Sequence, residues 1–189
     1  PYAGGASVLV GDKIYFAHPQ TKDSFMNSVY VYDIQNNTFE YFAGTTFNDR
    51  CRAIAENKGL LYLIAYNKEF YSLKIEDATL TKLVDAPSNL VENTNSNSMT
   101  IIDDYVYISN LNDSSNFGVY DIKNNSWDSY SKPELNGKSL LIFDNSLIAV
   151  GGPSTNTLKI NRKSLSTTEI GNPIKSGYDL INGSAQIYN

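Results

Sequence analysis

The sequence predicts an all-β chain built from repeated four-stranded antiparallel meanders. Two segments are near copies: Val29-Tyr30-Val31-Tyr32-Asp33-Ile34-Gln35-Asn36-Asn37-Thr38-Phe39 and Phe117-Gly118-Val119-Tyr120-Asp121-Ile122-Lys123-Asn124-Asn125-Ser126-Trp127. Each runs through Tyr-Asp-Ile into a polar Asn-Asn turn and then an aromatic residue. Self-similarity at such a distance marks a repeat architecture. The second observation is composition. Aromatics make up 12% of the chain, with 14 Tyr among them, and they sit in short runs cut by Asn, Asp, Ser and Gly. Such runs suit pleated, half-buried strands.

The first unit spans residues 6–46. Ala6–Val10 is an apolar strand, residues 11–13 turn, and Ile14–Ala17 returns. A polar loop over 18–27 leads to Ser28–Ile34, the Asn36-Asn37 turn and Phe39–Phe42. The second unit, 50–86, repeats the order with Cys51–Ala55, Leu60–Tyr66, Phe70–Ile75 and Leu80–Val84. The third, 97–132, uses Ser98–Ile102, Tyr105–Asn110, Phe117–Ile122 and Trp127–Tyr130. The fourth, 138–171, uses Ser139–Phe143, Leu147–Gly151, Thr157–Ile160 and Ser166–Ile170. Residues 177–189 begin a fifth, with strands at Tyr178–Ile181 and Ala185–Tyr188 around Asn182-Gly183.

The second strands align on Tyr15, Tyr62, Tyr107 and Ile148, which fall 47, 45 and 41 residues apart. That spacing fits a β-propeller blade better than a helical repeat. The first turns carry Gly11-Asp12, Lys58-Gly59, Asp103-Asp104 and Asp144-Asn145, residue types that tolerate positive φ in tight hairpins. No stretch shows helical periodicity. The longest loop, 85–98, is expected to be mobile.

At the level of strand order the whole chain resembles the kelch-repeat β-propeller family. Gly151-Gly152 stands where that family carries a Gly-Gly pair after the second strand. Tyr32 and Tyr120 take its third-strand Tyr, and Trp127 its Trp, with Phe39 as the replacement in the first unit. The Gly-Gly pair is missing from the first three units, and the Tyr-Asp pair from the second and fourth. The resemblance implies one propeller over 1–189 with four blades plus part of a fifth. Because the fifth unit lacks its outer strands, the expectation is a segment of a longer propeller of about six or seven blades. A closed ring of four blades is the alternative. The second- and third-strand aromatics are expected to pack between blades.

A net charge of −5 argues against nucleic acid as the partner, since phosphate binding needs a basic face. No apolar run is long enough to cross a bilayer, and no charged-then-apolar leader stands at Pro1. Cys51, the single cysteine, cannot form an intramolecular disulfide, which favours a cytoplasmic setting. Asn-X-Ser/Thr triplets at Asn36, Asn112, Asn124 and Asn182 are as frequent as chance supplies in so Asn-rich a chain.

Signals for chemistry are sparse. His18 is the only histidine, no Gly-X-Ser-X-Gly elbow accompanies it, and zinc would need more His or Cys. The loop around Asp113 lacks the acidic spacing of a calcium site. Asp103 and Asp104 occupy a hairpin turn. No cofactor and no metal are expected. Cys51 sits between Arg50 and Arg52, and alternation turns it to the opposite side from both. Asp49, Arg50 and Arg52 form either an ion-pair group between blades or donors at a channel mouth.

The reading that follows is a non-catalytic protein-recognition scaffold. In a meander, the loops joining second to third strands share one face with the loops linking successive blades. That face carries the partner-binding candidates His18, Phe25, Met26, Phe47, Asp49, Arg50, Arg52, Tyr66 and Asp113. The resemblance implies the same role, since many kelch propellers recognise proteins. The alternative is a propeller enzyme or carbohydrate-binding domain that holds an acidic sugar through Arg50, Arg52 and His18. A copper oxidase would need more His ligands than the chain has.

Overall fold

The structure, a computed structural model, describes residues 6–18, 28–44, 51–91, 97–110, 115–152 and 156–171. The expected fifth unit at 177–189 lies outside the described residues. The chain forms two compact units, Pro1–Ala86 and Pro87–Asn189.

The first unit holds two four-stranded antiparallel meanders. Sheet 1 consists of β1 (Ala6–Val10), β2 (Lys13–Ala17), β3 (Ser28–Asp33) and β4 (Thr38–Gly44). Sheet 2 consists of β5 (Cys51–Asn57), β6 (Leu60–Ala65), β7 (Phe70–Lys74) and β8 (Leu80–Lys82). The second unit opens with a single helical turn, α1 (Ser88–Val91). Sheet 3 follows with β9 (Asn97–Ile102), β10 (Tyr105–Asn110), β11 (Asn116–Asp121) and β12 (Ser126–Ser131). Sheet 4 has β13 (Ser139–Phe143), β14 (Ser146–Val150), β15 (Thr157–Ile160) and β16 (Thr167–Gly171). The chain is therefore all-β, and its strands fall where alternation and turn residues place them.

The hairpin chemistry is as expected. Lys58 and Gly59, and Asp144 and Asn145, are paired positive-φ residues in two-residue turns, the type I′ pattern. The echoed motif has a structural meaning as well. Asp33 accepts the backbone N–H of Asn36 at 2.9 Å, and Asp121 that of Asn124 at 3.0 Å. Tyr32 and Tyr120 each donate a hydroxyl to the next Asn, Asn37 and Asn125, at 2.7 Å. Those two Asn residues hold φ of 53° and 50°. Tyr-Asp-Ile-x-Asn-Asn is thus a self-fastening turn between third and fourth strands.

Within each unit, one face of a sheet packs on the opposite face of the next. Tyr15, Ala17, Val29 and Val31 of sheet 1 cluster with Leu61, Leu63, Tyr71 and Leu73 of sheet 2. At the equivalent positions, Tyr107, Phe117 and Val119 of sheet 3 cluster with Leu147, Ala149, Leu158 and Ile160 of sheet 4. We call the first kind of face leading and the second trailing. Tyr15 and Tyr107 confirm the expectation that second-strand aromatics pack between sheets.

Two expectations need correction. The sequence shows no helical period, yet α1 forms, because one turn is too short to leave a 3.6-residue signal. The stretch at 85–91 is not a loose loop either. Leu90 and Val91 are fully buried, and Asn89 donates to Ser129 Oγ at 2.8 Å and accepts from Asn116 Nδ2 at 2.7 Å.

Candidate functional site

Polar burial is concentrated at one end of the sheets. Among the described residues, each buried polar or charged side chain lies at the end bearing the loop between second and third strands. His18 follows β2; Ser109 and Asn110 end β10; Arg52, Asn97 and Ser139 begin first strands; Lys138 precedes β13; Thr157 begins β15. The opposite end carries the exposed tight turns. Buried polar groups cost free energy unless they are hydrogen-bonded.

Such hydrogen bonds are clearest in the second unit. Asn97 Nδ2 donates to Leu90 O at 2.9 Å, and Ser109 Oγ donates to Lys138 O at 2.8 Å. The Leu140 N–H donates to Ser98 Oγ at 2.7 Å. The Lys138 ammonium donates to Gly151 O at 2.7 Å and Asn156 O at 2.6 Å. It is fully buried, and desolvation pulls its pKa below the ordinary lysine value, with Glu169 opposing. With both carbonyls taken up by its N–H groups, Lys138 fastens the β14–β15 loop to the start of β13. Gly152 sits in the same turn at φ +78°, where a Cβ would lie 2.6 Å from Asn136 O. Gly152 is therefore required by close backbone approach, and Gly151 beside it holds a φ of 80°.

In the first unit the same end carries Arg52 and Tyr66. The Arg52 guanidinium carbon lies 4.0 Å over the Tyr66 ring centroid. Arg52 is only 8% exposed, whereas Tyr66 is 42% exposed. Such a cation–π contact contributes about 0.5–2 kcal/mol and holds an aromatic ring at the surface in one orientation. Beside it, Lys82 bridges Glu69 at 2.9 Å and Asp85 at 3.6 Å. The Lys82 and Asn67 hydrogen bonds hold the Glu69 carboxyl below its usual range.

Of the residues expected to bind a partner, Tyr66 is presented to solvent. Arg52 is spent largely on packing beneath it. His18 is a correction: it is fully buried rather than displayed on a loop, because its N–H continues the β2–β3 ladder to Ser28 O at 3.0 Å. Phe25, Met26, Phe47, Asp49, Arg50 and Asp113 lie outside the described residues, as does part of the convergence an acidic-sugar site requires. Cys51 is buried, and burial pushes its thiol up to about 12, so it is an inert apolar residue and no nucleophile at neutral pH. Asp103 and Asp104 are not merely solvated: they pair with Arg162 and with Lys123. Among the described residues no group of three His, Cys, Asp or Glu could hold a metal ion, and no helix is long and apolar enough to cross a membrane.

Lys138, Asn97 and Ser109 carry no signal in the sequence that marks them for burial. A lone Lys before an apolar run looks like any surface cation. The one available sign was Gly151-Gly152, which demands a close neighbour.

No family model matches the chain, and a search of curated proteins returns no match. The functional reading therefore rests on the residues themselves.

Proposed function

We propose that the chain is a kelch-like β-propeller segment, and that the loop-bearing end of its blades is a non-catalytic protein-recognition surface. Three features support the propeller reading: sequential four-stranded meanders, blade-length spacing, and leading-on-trailing packing in each unit. The observation that carries the recognition reading is the asymmetry of the sheet ends. In the second unit the loop-bearing end is fastened by buried Asn97, Ser109 and Lys138, in the first the same end displays Tyr66 over Arg52, and in each unit the other end carries short, solvated turns. Loops held on such a base keep their shape, and an oriented exposed aromatic is the residue type that anchors interfaces.

A photo-crosslinking aromatic placed at Tyr66, and separately at Phe143 by the opposite turns, tests this reading. A discrete protein adduct from position 66 and none from 143 is the expected result. Equal labelling from both, or none from 66, overturns it.

A further inference from the structure

We propose that Lys138 and Asn156 join in an intramolecular isopeptide bond, with Glu169 as the proton carrier of the reaction. The three side chains come from separate places in the second unit. Lys138 precedes β13, Asn156 precedes β15 and Glu169 lies on β16.

Lys138 is the nucleophile. Among the described residues the other lysines are exposed or part-exposed, and Lys74, Lys82, Lys123 and Lys132 reach carboxylates at the surface. Lys138 is fully buried instead, and its Nζ lies 2.6 Å from the main-chain oxygen of Asn156. Four bonds join that oxygen to Cγ of the same residue, so the side-chain amide carbon lies within about 5 Å of it. A change of lysine rotamer covers such a gap. Burial also favours the neutral amine that the attack needs, since desolvation penalises the ammonium.

Asn156 is the electrophile. Its Nδ2 donates to Glu169 Oε2 at 2.8 Å, which sets a carboxylate on the leaving nitrogen. The Glu169 charge also acts on the Lys138 ammonium, so this carboxylate serves both nitrogens. Nζ attacks Cγ and the Cγ–Nδ2 bond breaks. Nζ gives up two protons in all; Nδ2 takes up two and departs as ammonium. Glu169 carries them from one nitrogen to the other. No atom changes oxidation state, so no oxidant is needed. An amide is a poor electrophile in water, and holding the amine beside it supplies the missing proximity. The product ties the start of β13 to the start of β15 covalently, where hydrogen bonds of Lys138 already hold them.

Intact mass and peptide mass spectrometry of the purified full chain test this bond. The expected mass is about 17 Da below that of the sequence, one ammonia, with a branched peptide joining 138 to 156. Lys138→Met and Asn156→Ala should each restore the full sequence mass. Glu169 is exposed, so Glu169→Gln should fold and cut the cross-linked fraction at least about tenfold, which keeps the test decisive if the Lys138 variant does not fold. A wild-type chain at its full sequence mass overturns the inference. So does an ammonia loss mapped to Asn136-Gly137, where a succinimide gives the same mass, and so does a cross-link unchanged in Glu169→Gln.

Discussion

Sheets 1 and 3 begin from almost the same third-strand sequence and end in different surroundings. Both carry the Tyr-Asp-Ile turn, with the same tyrosine-to-asparagine bond at 2.7 Å. They part at one position. Tyr30 in sheet 1 aligns with Gly118 in sheet 3. A Cβ on Gly118 would lie 2.3 Å from Leu90 Cδ1 and 2.7 Å from Ile108 Cγ2. The glycine thus leaves a socket, and Leu90 of α1 fills it. On the same face Val106, Ile108 and Tyr120 are almost completely buried, while Ile14, Phe16 and Tyr32 at the matching places are half-open. Local motif and tertiary setting are therefore separable. The repeat fixes strands and turns, whereas the glycine and the helical turn set the packing at one point of the trailing face.

The largest effects should come from breaking the socket. Leu90→Ala removes a fully buried side chain and should cost about 3 kcal/mol in denaturant unfolding. Gly118→Val should cost about as much by overpacking. The matching change in sheet 1, Tyr30→Ala, should cost about 1 kcal/mol, because a half-exposed ring gives up less burial. Equal losses at Tyr30 and Leu90 would break the comparison.

A smaller difference separates the two tyrosines. Tyr120→Phe should cost about 1 kcal/mol, since its hydroxyl bond is part-buried. Tyr32→Phe should cost less, because water can replace its exposed bond. Unfolding curves for the pair sharpen the contrast; a larger loss at Tyr32 would reverse it.

The smallest effect is in the pH profile. Asp33 and Asp121 are both held below the ordinary aspartate value, first by the backbone N–H groups of Asn36 and Asn124. The unfolded chain therefore takes up protons first as the pH falls. Each turn contributes its full stability above about pH 4 and loses it as the pH drops through the folded value. Asp121→Asn and Asp33→Asn should each flatten the acid limb of the stability curve to a similar extent, since both turns are solvated. A limb flattened by only one of them would show that burial of the sheet reaches its turn.

How much of this the sequence discloses follows from the range of each interaction. Strands and hairpins rest on neighbours a few residues apart, so alternation and Asn, Asp and Gly placed nearly all of them. Tyr66 was read as a surface aromatic, and it is one. The burial of His18 and Lys138 was not legible, because each depends on backbone carbonyls brought in by folding. Lys138 reaches Gly151 and Asn156, more than twelve residues away. The α1 turn was invisible for a related reason: its partner is an absence, the missing side chain of Gly118, and a glycine inside a strand announces space without naming its occupant.

The direct test of the socket is a double-mutant cycle between Leu90→Ala and Gly118→Ala. If Leu90 occupies the space that Gly118 leaves, the new methyl group fits the cavity made by Leu90→Ala. Gly118→Ala should then cost at least about 1 kcal/mol less in that background than in the wild type. Additive costs would contradict the account.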